Sequence, residues 1–379
     1  MKCVSVLKTI ACVMLVMAGL VACSAPVSEP RARLTVAEAM AGGDAAGFAR
    51  VTIPRPFVFP DDHGPHPEYA IEWWYYTGNL SSSDGRRFGF QFTLFRSGLA
   101  PAAPARPSGW ATSSIYMAHF ALSDAASGTF YAFERFSRGA AGLAGSQGEP
   151  FRVWLENWSV EGLGSDGMPM RVRAAEGDVA IDLTLTAGKP PVLQGDRGVS
   201  QKSADAGNAS YYYSFTRMPT TGVVRVGDVQ YQVAGLSWMD REWSTSALGS
   251  AQVGWDWFAL QFDDGRDLMF YRLRLDDGSI DPYSKGVLVD ANGGARRLSR
   301  DEVLVEPLDG WTSPRSGVTY PARWRLRVPS EAIDVTVTPL LANQELPVTV
   351  VYWEGAVVIE GSATGRGYIE MTGYAPDDG

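Results

Sequence analysis

Apolar and polar residues alternate with a period of two over much of this 379-residue chain. Beyond residue 50 no long stretch keeps the 3.6-residue period of an amphipathic helix. Short alternating runs recur instead, separated by Asp-Gly, Gly-Asp and proline-rich turns. Successive strand residues point to opposite faces, so this pattern predicts an all-β protein. Expected strands include 114–122, 130–136, 151–158, 170–175, 179–186, 229–236, 268–275, 333–339, 352–361 and 365–374.

One hairpin pattern occurs twice. Residues 72–96 read EWWYYTGNLSSSDGRRFGFQFTLFR, and residues 254–274 read GWDWFALQFDDGRDLMFYRLR. Each holds a Trp-x-aromatic pair, Trp73/Tyr75 and Trp255/Trp257. Each continues into an Asp-Gly-Arg turn and an alternating strand that ends near arginine. Glycine accepts the positive φ of a tight hairpin, so Asp-Gly between alternating runs is a strong turn signal. The repeat predicts two consecutive antiparallel β-barrel domains, 50–217 and 218–379, joined near 218–221. About eight strands close a small barrel with room for one ligand.

The first 49 residues follow another logic. Lys2 and Lys8 flank the start of an apolar run, 9–21, that is short for a bilayer span. Leu20-Val21-Ala22-Cys23 then fits a bacterial lipobox. Residues 1–22 are expected to be a lipoprotein signal peptide, and Cys23 the lipidated residue. Residues 23–49 would be a tether with a short helix, because Thr35 and Glu38 have capping-box spacing. Cleavage would remove Cys3 and Cys12 and leave no disulfide. The expected location is the bacterial envelope, lipid-anchored to the outer membrane and facing the periplasm. A chain 45% hydrophobic and 20% charged can build a large core. Its net charge of −9, with no basic patch, argues against nucleic acid as a partner.

Chemistry concentrates in 237–258, SWMDREWSTSALGSAQVGWDWF. Trp238, Trp243, Trp255 and Trp257 bracket Asp240-Arg241-Glu242, and Asp256 lies between the last two tryptophans. Glu72 precedes a second aromatic run, Trp73 to Tyr76. A carboxyl in an aromatic pocket has a raised pKa and can act as an acid near neutrality. The same residues could instead form a buried structural ion pair with Arg241. His63, His66 and His119 are the only histidines. His63 and His66 sit in a Gly/Pro loop expected to cover a barrel mouth, and His119 on a strand, so no metal site is expected. No nucleophile elbow, P-loop or dinucleotide fingerprint occurs, and no cofactor is expected.

Four of these segments resemble one family: EWWYYTGNL (72–80), WMDREW (238–243), GWDWFALQFDDGR (254–266) and GRGYIEMTGY (365–374). They are similar to AttH-like proteins, which group with the carotenoid 1,2-hydratases (the hydroxyneurosporene synthase family). The resemblance covers roughly 50–379 and implies two lipocalin-like barrels in tandem. Related fungal enzymes catalyse Diels–Alder cyclisation between two such barrels. The hydratases add water to a terminal isoprenoid double bond without a cofactor, which calls for a carboxylic acid and cation-stabilising aromatic faces. Asp240 and Trp243 match the hydratase pattern. Arg241 stands at its histidine position, and Leu273, two after Tyr271, at that of its second acid.

The resulting expectation is an envelope lipoprotein that binds a hydrophobic or amphipathic small molecule or lipid. Glu72, Trp73, Tyr75, His119, Trp238, Trp243, Trp255, Asp256, Trp257 and Tyr271 are the expected ligand residues. The alternative is a cofactor-independent hydratase-like lyase or isomerase. Asp240 or Glu242 would be its acid, and Arg241 would set the charge state. A third reading is a structural partner in an envelope transport complex.

Overall fold

A computed structural model describes residues 46–101, 108–246, 248–249 and 251–375. The expected signal peptide, the Cys23 lipidation site and the short helix near Thr35 lie outside the described residues. The described residues belong to one compact unit, which contains both sheets described below.

The described residues are almost wholly β. The first sheet comprises β1 (Ile71–Ser82), β2 (Arg87–Gly98), β3 (Ser114–Asp124), β4 (Thr129–Arg138), β5 (Ala144–Gln147), β6 (Arg152–Leu155) and β7 (Trp158–Gly162). It continues with β8 (Met170–Glu176), β9 (Val179–Leu185), β10 (Val192–Leu193), β11 (Val199–Gln201), β12 (Ala209–Val226) and β13 (Val229–Ser244). The second holds β14 (Gln252–Phe262), β15 (Asp267–Leu275), β16 (Lys285–Val289), β17 (Ala295–Ser299) and β18 (Leu304–Thr312). It ends with β19 (Thr319–Val328), β20 (Ile333–Pro339), β21 (Glu345–Pro347), β22 (Val351–Gly361) and β23 (Gly365–Met371).

The strand orders are β4-β3-β2-β1-β13-β12-β9-β8-β7-β6-β5 and β17-β16-β15-β14-β23-β22-β20-β19-β18. All pairings along these paths are antiparallel. The first sheet curls until β6 lies against β2, β3 and β4, a nearly closed barrel. The second is a half-barrel.

Alternation along the strands sorts the side chains. Trp74, Tyr76 and Leu80 on β1 and Phe88, Phe90, Phe92 and Leu94 on β2 fill the first barrel. Phe258, Leu260 and Phe262 on β14 do the same for the half-barrel. The opposite faces of these hairpins, Trp73 and Tyr75 against Trp257 and Tyr271, form a third apolar cluster between the sheets. Both Asp-Gly turns are hairpin tips, with Gly85 at φ +85° and Gly265 at φ +89°. Close sheet contact needs Gly89, where a Cβ would come within 2.5 Å of the Ala356 Cβ.

Two expectations change. The sheets change over between Ser244 and Gln252, because β12 and β13 both pair within the first sheet. The expected junction at 218–221 lies inside β12. Length explains the misreading: β12 runs 18 residues, and its bulge between Phe215 and Met218 interrupts the alternation. The run 151–158 is a hairpin rather than a strand, since β6 turns into β7 at Glu156, which holds φ +56°.

Candidate active site

The repeat places equivalent residues at one spot. In the first sheet Tyr75 stands opposite Thr93 on β2 and Asp240 on β13. In the second, Trp257 stands opposite Tyr271 on β15 and Glu370 on β23. One strand further, Asp240 faces Ser214 and Glu370 faces Glu354. These positions, Ser214 apart, surround a cavity of about 90 Å³ between the sheets. Trp73 and Trp255, Tyr212 and Tyr352, and Phe95 and Leu273 complete matching pairs around it, and Glu242, Lys202 and Leu248 also line it. The half-exposed Trp73, Phe95, Leu248 and Trp255 mark its mouth.

Four carboxyl groups therefore line one cavity beside one ammonium group. Lys202 Nζ lies 2.9 Å from Glu242 Oε1. Burial pulls the Lys202 ammonium down, but Glu242 and Tyr271 more than offset this and hold it above its ordinary value. The other three carboxyls have no such partner. Burial pushes Asp240 up to about 7, against hydrogen bonds from Ser214, Tyr212 and Trp238 that favour its anion. Burial and the nearby Asp240 push Glu370 up to about 8. Burial and Glu370 hold Glu354 well above the carboxylate range.

The partners of these groups differ. Asp240 accepts from Tyr212 Oη at 2.5 Å, Ser214 Oγ at 2.5 Å and Trp238 Nε1 at 2.7 Å. Glu354 is only 1% exposed. The Tyr75 and Tyr352 hydroxyls lie near it, but neither carboxyl oxygen has a well-aligned hydrogen bond. The alignment matters more than proximity, because hydrogen bonds weaken steeply off axis. A buried acid without aligned donors stays neutral.

Strand alternation splits the Asp-Arg-Glu triplet. Asp240 and Glu242 face the cavity, while Arg241 points into the first barrel. There Arg241 pairs with Glu72, donates to the Gly64 carbonyl at 2.6 Å and stacks over Trp74 at 4.0 Å. Glu72 also pairs with Arg96. Arg241 is thus neither in the cavity nor beside the carboxyls whose charge it was expected to set, and Glu72 is not a cavity residue. Trp243 points inward too, with its ring 3.7 Å from that of His66 and stacked on it. Asp256 lies inside the half-barrel, bonded to Arg272 and Tyr374 at 2.7 Å each. Each departs from expectation for one reason: it is an odd number of residues from a cavity-facing neighbour.

Trp73, Tyr75, Asp240, Glu242, Trp255, Trp257 and Tyr271 do meet around the cavity. Trp238 sits behind Asp240. His119 Nδ1 lies 2.8 Å from the Tyr352 hydroxyl and Nε2 lies 3.1 Å from Glu134, so it ties the two sheets together. Sequence reasoning missed Lys202, Tyr212, Glu354 and Glu370. The last two had a signal: a lone acid in each of the alternating apolar runs 351–359 and 365–371. Among the described residues no group of three or more His, Cys, Asp or Glu is placed to hold a metal ion.

The family model of AttH-like proteins matches residues 50–374. The chain belongs to the AttH-like family. A crystal structure of an AttH protein from Nitrosomonas europaea shares 35% identity and superposes with a TM-score of 0.79, covering 87% of this chain and all of the other. That likeness extends the AttH-like assignment to the tandem lipocalin-like fold. Kievitone hydratase from Nectria haematococca superposes with a TM-score of 0.64 at 14% identity, over 86% of this chain and 96% of that one, which speaks for the fold alone. Dehydratase asqC of Emericella nidulans is 26% identical over 191 residues, 48% of this chain. The AttH-like chain spans about half, 53%, of that relative.

Proposed function

We propose that this protein is a cofactor-independent hydro-lyase that adds or removes water on a neutral, largely apolar substrate between its two β-sheets. The observation that carries the reading is the set of buried carboxyls. Three of them, Asp240, Glu354 and Glu370, titrate far above the ordinary range and open onto one aromatic cavity. Burying such groups without cations is costly, and perturbed acids in a cleft are the mark of a reaction site. The dehydratase name of the relative that is 26% identical over 191 residues supports the same class.

The unequal partners assign the roles. In the dehydration direction the Glu354–Glu370 pair supplies a proton to the departing hydroxyl, and the C–O bond breaks to release water. Asp240, whose anion is held by three donors, takes the proton from the adjacent carbon as the C=C bond forms. Hydration runs the same steps backwards. Trp73, Trp255 and Trp257 line the same cavity, where aromatic faces would stabilise positive charge developing on carbon. Lys202 is taken up by its pairing with Glu242, so among the described residues no unpaired cation lines the cavity to hold an anionic substrate.

The N-terminal pattern adds a place. Lipidation at Cys23 would hold the enzyme on an envelope membrane, close to apolar substrates. Mass analysis of the mature N-terminus tests that part. For the reaction, a lipid extract of the producing cells is incubated with the protein in ¹⁸O-water. A hydroxylated lipid should gain the heavy isotope, and Glu370→Gln should abolish the gain. If no lipid gains the label, or if Glu370→Gln and Asp240→Asn label as fast as the parent, the hydro-lyase reading is wrong.

A further inference from the structure

The cavity is small for the substrate it implies. Its 90 Å³ is less than the roughly 150 Å³ of an engineered apolar cavity that takes up one benzene. Only the reacting end of a ligand fits inside, and the remainder must leave through the mouth.

The register shows where it goes. Trp73 stands opposite Phe95 on β2, Phe95 opposite Met117 on β3, and Met117 opposite Phe136 on β4. Directly opposed strand residues share a face, so these four side chains form one row across four strands. The row covers three strand spacings, about 14 Å. Its first two members line the cavity, and its last, Phe136, is 51% exposed. The neighbouring row on one side is sealed beneath the half-barrel. There His119 bonds Tyr352, and Thr349 donates to Glu134 from both its amide and its hydroxyl. The row on the other side is mixed: Ile71, Ser97, Ile115, which is 40% exposed, and the exposed Arg138. The result is an apolar ledge with a wall along one edge, running from the acid cavity to the sheet's edge strand.

We infer that this ledge is a tail-binding site. It takes the linear apolar chain of a neutral amphiphile whose hydroxylated or unsaturated end enters the cavity. The row itself carries no polar or charged side chain, and Arg138 stands beside only its far end; an apolar floor about 14 Å long has no use to a compact substrate. The inference rests on the cavity being the reaction site, and it narrows the substrate to a chain with its reactive group near one end.

The test is a chain-length ladder. Butanol, octanol and dodecanol are titrated into the full chain, with binding read from tryptophan fluorescence. Full burial of a methylene gives about fourfold in affinity, and a ledge open on one side about half of that free energy. Dodecanol should therefore bind roughly tenfold tighter than octanol. Phe136→Asp and Met117→Asp should erase that gain and leave butanol affinity unchanged, which also shows that the variants fold. A plateau from octanol to dodecanol in the parent would overturn the ledge, as would a gain that survives both substitutions. If no alcohol of any length binds, both the ledge and the cavity reading fall. If the alcohols bind and lengthen as expected but no lipid gains ¹⁸O, only the reaction is wrong.

Discussion

Replacing Glu370 with Gln should stabilise the protein at alkaline pH. The reasoning starts from the proton. Glu370 moves from an ordinary 4.5 when unfolded to about 8 when folded, first through burial and then through Asp240. Below the unfolded value both states are protonated, and the shift has no effect. Between about 4.5 and 8 the unfolded chain gives up its proton and the folded chain keeps it. Stability is then lost as pH rises, and the loss is complete above the folded value. A shift of about 3.5 units corresponds to roughly 5 kcal/mol at 1.36 kcal/mol per unit. Glu354 and Asp240 share the same field, so about 3 kcal/mol is the expected gain on removing Glu370 alone. Glutamine keeps the shape and cannot ionise. In a chain this size that is a rise in Tm on the order of 5 °C. Thermal unfolding followed by circular dichroism should show the variant and the parent together near pH 5. The variant should lead by the full amount near pH 9. A difference that is flat with pH, or a variant less stable at pH 9, would refute the buried-acid account.

Other substitutions separate structure from chemistry. Arg241→Met should cost about 3–5 kcal/mol in urea unfolding, since it leaves Glu72 short of one buried partner, whereas Asp240→Asn should cost little. Equal costs would mean that the alternation of the triplet has been misread. Gly89→Val should loosen the contact between the sheets, because its side chain meets Ala356 and Tyr368. The expected signs are a loss of about 1–3 kcal/mol and altered near-ultraviolet dichroism. Lys202→Met alone should destabilise more than Lys202→Met with Glu242→Gln, as removing both charges leaves neither buried alone. A double-mutant cycle with no coupling would remove the pair from the site.

Much of the fold was legible because strands carry their own periodicity. The Trp-x-aromatic and Asp-Gly-Arg pattern of 72–96 and 254–274 located the two equivalent hairpins, β1–β2 and β14–β15. What sequence could not supply was the partner of each hairpin. That β13 closes on β1 in one sheet, and β23 on β14 in the other, is a long-range pairing with no local signature. The candidate site shows the same limit. The aromatic residues of 237–258 were found, but adjacency in sequence suggested that Asp240, Arg241 and Glu242 act together. On a strand, neighbours face apart: Arg241 leaves the cavity, and Asp240 and Glu242 are joined there by Glu354 and Glu370, far away in the chain.

The two halves of the site are equivalent in place and unequal in chemistry, and one exchange accounts for the inequality. Ser214 faces Asp240 where Glu354 faces Glu370. The Ser214 hydroxyl donates to Asp240 and favours its anion, while Glu354 gives Glu370 no such donor and burial together with Asp240 holds Glu370 protonated. The same scaffold position thus gives a group near 7 on one side and a more reluctant acid on the other, which is what a reaction needing both a base and an acid requires. Glu354→Ser should make the halves alike. The new hydroxyl would favour the Glu370 anion, and Glu370 would titrate close to Asp240. Infrared spectroscopy of the protonated-carboxyl band should then show, near pH 7.5, a loss greater than one carboxyl, because Glu354 is gone and Glu370 has begun to ionise. A loss of one carboxyl with an unchanged midpoint for the rest would mean that burial alone sets Glu370, and that the exchange at 214 and 354 does not divide the roles.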